Sequence, residues 1–217
     1  MSNIQITENE SGKYSPEWFY NEAQKPEWIA FIRKADTLHE NFINHFGIEH
    51  LKSLSGKELL TSLFYNDKGN KLNLCYVLEM DKDMREIFGS IAGGAAYKFG
   101  LFFHKKTQSW TCGSPAKPVK LTENEAIQKA EEIRNDLVAG AEIISSFGPL
   151  NSTADYEQLY KQLEHISGIN TVWRMKYYQM LFPILFAPFY GITFSKSNTK
   201  RDSFYTHGTN RTVFKKM

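Results

Sequence analysis

The stretch FGSIAGGAAYKFGLFF, residues 88–103, decides the fold. It is either a phosphate-cradling loop that opens a helix or a glycine turn that feeds a strand. A P-loop needs G-x-x-x-x-G-K-[ST], because its lysine must reach the β/γ-phosphates and its hydroxyl must hold magnesium. Gly89 and Gly94 have that separation, but Ala95 and Ala96 stand where the lysine and hydroxyl belong. G-x-G-x-x-G is absent, and Gly89-Ser90 has the wrong spacing for a G-x-S-x-G nucleophile elbow. The alternation Tyr97, Phe99, Leu101, Phe103 then predicts a strand over 96–104, so Gly93 and Gly94 read as a turn entering it.

Outward from this strand, LNLCYVLEM (72–80) alternates through Leu72, Leu74, Tyr76, Leu78 and Met80, which predicts a second strand of the same sheet. KKTQS (105–109) reads as a hairpin turn into a third strand containing Trp110 and Cys112. The rest has helical period. Pro26 opens a helix with Trp28, Ile32, Ala35, His39, Phe42 and Phe46 on one face, and Gly47 stops it. Ser55 and Glu58 have capping-box spacing ahead of Leu59, Leu63 and Phe64, and NDKGN (66–70) reads as a turn. A second capping box, Thr122 with Glu125, starts a helix whose stripe is Ala126, Ala130, Ile133, Leu137, Ala141 and Ile144. Further helices pass through Tyr156, Leu159, Tyr160 and Leu163, and from Val172 to Leu181 before Pro183. The expected architecture is α+β: a small antiparallel sheet flanked by several helices, forming one domain over 16–190. A flexible N-terminus (1–15) precedes it and a basic C-terminal tail (191–217) follows.

Composition narrows the class. With 217 residues, 41% hydrophobic and 23% charged, the chain is long enough for a substantial core. No secretory leader pattern appears. The longest apolar run, MLFPILFAPFY, is too short for a bilayer and carries two prolines, which argues against a membrane partner. Cys75 and Cys112 are too few for a structural zinc site, and reduced thiols in the cytoplasm are expected. The net charge of +2 hides a polar arrangement. Residues 95–120 hold Lys98, Lys105, Lys106, Lys117 and Lys120 with no acid, whereas 121–165 are strongly acidic.

Catalytic motifs fail on spacing. His39-Glu40 and His45 resemble H-E-x-x-H, but histidines six apart lie on opposite sides of a helix. Glu79, Asp81 and Asp83 cluster, yet Lys98 has no acid two residues earlier, as a magnesium-dependent nuclease would require. No enzyme activity, metal or cofactor is therefore expected, and an enzyme centred on Glu79, Asp81 and Lys98 is the weakest alternative. The remaining signal is aromatics interleaved with lysines. Tyr97, Lys98, Phe102, Lys105, Lys106, Trp110, Lys117 and Lys120 form a candidate surface for phosphate contacts and base stacking. WRMKYYQM supplies Arg174 and Lys176 as a second such mix.

Taken in order, WIAFIRKADTLHENFINHF, LSGKELL, LCYVLEMD, FGSIAGGAAYKFGLF, EAIQKAEEIRNDLVAGA and KYYQMLFP resemble the segment that precedes the AAA-type motor in McrB-like restriction and anti-phage defence proteins. The likeness spans about residues 28–188. It implies a module that recognises DNA, including modified bases, beside a motor or nuclease subunit. The chain has no Walker motif, so it is not itself that motor. The alternative is a protein-interaction or scaffold subunit of such an assembly.

Overall fold

The computed structural model describes residues 16–64, 72–92, 96–114, 116–166, 168–183 and 185–186. The turn expected at 66–70, the glycines at 93–94, and the terminal segments 1–15 and 191–217 lie outside them.

Two helices, α1 (Pro16–Ala23) and α2 (Pro26–Phe46), come first, joined by a short turn at Gln24 and Lys25. Pro26 enters α2 at its first turn, where its missing N–H costs nothing, and the helix ends at Gly47, whose N–H reaches the Ile43 carbonyl at 2.8 Å. Two short helices follow, α3 (Ile48–Ser53) and α4 (Gly56–Leu63). Ser55 is the N-cap of α4, but its hydroxyl makes no capping bond, so the expected capping box is not formed there. The helix is held instead by burial of Leu59, Leu60 and Leu63.

Residues 72–80 are not a strand. Asn73 accepts a hydrogen bond from the Tyr76 N–H at 2.9 Å and caps a short helix, α5 (Leu74–Glu79). Leu74 and Leu78 are one helical turn apart and fully buried beside Cys75. Asp81 then caps α6 (Lys82–Phe88) through the Met84 N–H at 2.9 Å. The expected strand over 96–104 is halved: Ala96–Phe99 is a 3₁₀ turn, and Gly100, at φ +76°, redirects the chain into β1 (Leu101–His104). The hairpin with β2 (Ser109–Ser114) is as expected, with Phe103 opposite Trp110. A further strand, β3 (Lys117–Leu121), pairs antiparallel with β2 and sets Lys120 opposite Thr111. The sheet is a three-stranded meander, β1-β2-β3.

The long helix α7 (Glu123–Ser146) begins at a complete capping box, Thr122 with Glu125, and buries all of Ala126, Ala130, Ile133, Leu137, Ala141 and Ile144. It packs against α3, α4 and the sheet. Then come α8 (Thr153–Glu164), capped by Ser152 and Asp155, and α9 (Thr171–Leu181). From Trp173 to Leu181 every residue of α9 is buried, so this helix is the centre of the core. Trp173 lies edge-on to Phe99 (5.4 Å) and tilted against Phe64 (5.9 Å). Tyr177 meets Phe42 and donates to the Phe46 carbonyl at 2.8 Å. Helices thus surround one face of a small antiparallel sheet, an α+β fold.

Candidate nucleic-acid interface

The lysines named from the sequence separate into an exposed set and a buried set. Lys105 and Lys106 are exposed in the four-residue turn between β1 and β2. Lys117 and Lys120 are exposed on β3, an edge strand of the sheet. Measured along the strands, the turn and Lys117 are roughly 20 Å apart, at about 3.3 Å per residue. Among the described residues none of these four forms an ion pair, whereas Lys25, Lys34, Lys52, Lys57, Lys98 and Lys129 all do. Alternation puts Lys117 and Lys120 on opposite faces of β3, so the basic feature is an edge and a turn instead of one flat face.

Pro118 and the flanking lysines explain why this edge stays open. Proline gives no N–H to a further strand, and lysines oppose edge-to-edge pairing.

The aromatics have another role. Phe102 and Trp110 are each only 7% exposed. Trp110 faces the helices and packs edge-on against Phe103 at 5.3 Å; Phe102 lies on the other side of the sheet, edge-on to half-buried Tyr97 at 4.6 Å. Their rings are committed to packing, so this part of the surface offers charge without a stacking platform.

Lys98, Arg174 and Lys176 do not join the exposed lysines. Lys98 turns inward: its Nζ is bonded to Glu79 Oε1 and donates to the Ile91 carbonyl at 3.1 Å. Glu79 is further tied by its own carbonyl, which accepts from the Ser90 hydroxyl at 2.7 Å, and that hydroxyl accepts from the Ala92 N–H. This small network anchors residues 90–92 to the end of α5. Beneath it the Cys75 thiol is fully buried and held well above its ordinary pKa, by burial first and then by Glu79, which makes it a poor nucleophile. Arg174 is buried in α9 and donates to the Ile166 carbonyl. Lys176, 1% exposed, donates to the Phe88 carbonyl at 2.6 Å and to Gln179 Oε1 at 2.8 Å. Burial lowers its pKa to about 7.

The acidic cluster also disperses. Glu79 holds Lys98, Asp81 caps α6, and Asp83 pairs with Lys34 at 2.7 Å, which holds its carboxyl below the usual range. Among the described residues no three histidine, cysteine or acidic side chains assemble as a metal-binding group, and no helix is long and apolar enough to cross a membrane. The sequence reading missed β3 and, with it, the shared edge of Lys117 and Lys120. KPVKL offers no alternation to read, since all four residues from Lys117 to Lys120 are exposed. Trp28 and Ile32, on the apolar face expected of α2, are half exposed.

No protein-family model matches the chain, no curated protein matches its sequence, and no solved structure matches its fold.

Proposed function

We propose that this chain is a DNA-recognition module of a McrB-like restriction or anti-phage defence system, working beside a motor or nuclease subunit and carrying no catalysis of its own. The observation that carries the reading is the set of four exposed lysines, Lys105, Lys106, Lys117 and Lys120, on an acid-free segment and without ion pairs among the described residues. Six other lysines neutralise local acids, whereas these four, grouped on one hairpin and edge, are available to phosphates. A spread of roughly 20 Å suits several phosphates of one duplex, which carries one charge per about 3.4 Å of axis on each strand. With Phe102 and Trp110 buried, the four lysines would contact phosphates, and modified-base recognition draws no support from these residues.

The test is a binding series on plain and modified duplexes at two salt concentrations. Lys105→Glu with Lys106→Glu should weaken binding far more than Lys129→Glu on α7, and each lost contact should flatten the slope of log affinity against log salt by nearly one unit. If affinity and salt slope are both unchanged, this edge does not bind DNA, and the protein-interaction reading replaces it.

A further inference from the structure

Helix α6 is attached to the fold more by polar contacts than by burial. Of its seven residues only Met84 is buried, whereas α7 buries eight. α2 holds it through Lys34, at 2.7 Å from Asp83 and 3.6 Å from Glu86, with all three side chains exposed to water. His39 of α2 lies against the Phe88 ring at 6.5 Å, its Nε2 buried and unbonded. The firm tie is at the C-terminal end of α6. Lys176 of α9, 1% exposed, donates to the Phe88 carbonyl at 2.6 Å. Phe88 ends α6 and Gly89, at φ +74°, caps it, so this carbonyl has no further helical turn to supply a donor. The lysine takes that place, and the end of α6 lies directly over its buried head.

We infer that α6 is a latch: it opens as a unit while the rest of the chain stays folded, and Lys176 sets how often. An element with so little burial belongs to the low-stability end of a fold. Opening breaks the bond to Phe88 and lets the Lys176 head reach water. In the closed form burial lowers the Lys176 pKa to about 7, and hydration returns it toward its ordinary 10.5. Between those values the open form binds the extra proton. Opening therefore grows easier as pH falls from 10.5, and the effect levels off below 7. The charged and titratable groups around the latch are Lys34 and His39 on α2, Asp81 to Asp83, Arg85 and Glu86 at α6, and the Glu79–Lys98 pair beside residues 90–92. Arg174, and Asp136 beside Tyr178, lie on the opposite side of α9, about 200° round the helix from Lys176. A Lys176→Met chain keeps all of these, so its comparison with wild type isolates the lysine.

Hydrogen exchange of the purified chain, read by mass spectrometry at pH 7 and pH 9 and corrected for intrinsic rates, tests this. In wild type, residues 82–89 should open at least about tenfold more often than α7. That opening should rise at least about tenfold from pH 9 to pH 7, and in Lys176→Met it should change less than about threefold. Lys176→Gln replaces the methionine variant if that one does not fold. Exchange of residues 82–89 only as often as α7 overturns the inference, because α6 then opens only with the whole fold. Opening that ignores pH, or that keeps its pH dependence in Lys176→Met, overturns it as well. DNA binding by Lys105 and Lys106 is scored separately and does not depend on either result.

Discussion

Lys98 and Glu79 meet as an ion pair in which the side chains keep only 13% and 14% of their surface. Removing one member strands the other in a poorly hydrated place, whereas removing both removes the problem. Glu79→Gln should destabilise the fold by about 2–4 kcal/mol in urea denaturation, and Lys98→Met by a similar amount. The double variant should cost clearly less than the sum. Strict additivity would show that the pair contributes no coupling.

Stability should depend on Lys176 above neutral pH. Its folded pKa is about 7, against 10.5 for a free lysine. Between those values the unfolded chain binds the extra proton, so folding stability rises with pH; below pH 7 the penalty is constant. The gain from pH 7 to about 10.5 is on the order of 4 kcal/mol. Other groups titrate in this window, so the measurement is the difference between wild type and Lys176→Met at each pH. A difference that does not change with pH would mean the lysine stays charged in the fold.

Gly140 lies within α7 where alanine would normally favour the helix by about 1 kcal/mol. A Cβ there would collide with the ring and hydroxyl of Tyr178 and approach Ile166 Cδ1 at 2.9 Å. Gly140→Ala should therefore lower stability by about 1–3 kcal/mol. Tyr178→Phe removes the hydroxyl, and in that background the alanine should cost less.

Trp110→Ala should cost about 3–5 kcal/mol, since the ring is a core anchor against Phe103. Thermal melts with and without DNA check this. A variant that melts like wild type while losing DNA affinity would return Trp110 to the binding surface.

Long periodic elements were legible from the residues; short ones were not. The α7 stripe and its capping box offer repeated, mutually consistent signals over 24 residues. LNLCYVLEM is different. In a helix of six residues Leu74 and Leu78 satisfy a period of two and a period of four equally. The deciding signal was Asn73, whose side chain caps the first turn. Tyr97 and Phe99 alternate as a strand would, but Gly100 places the bend between them and β1. β3 was obscured because an edge strand with Pro118 and two lysines looks like a turn. Among the candidate site residues, Lys105 and Lys106 followed from hairpin geometry. The inward turn of Lys98, Arg174 and Lys176 depends on contacts distant in sequence.

The position of α9 at the centre has a consequence for synthesis on the ribosome. Phe42, Phe46, Phe64 and Phe99 find Trp173 and Tyr177 only after the last described helix has emerged, and Arg134 must leave the ribosome before it can bond the carbonyls of Leu51 and Leu54. The growing chain therefore carries its N-terminal aromatics without their partners for most of translation. Closure of the core is a late, long-range event, and a nascent chain that stops before Thr171 leaves these rings to chaperones or to aggregation.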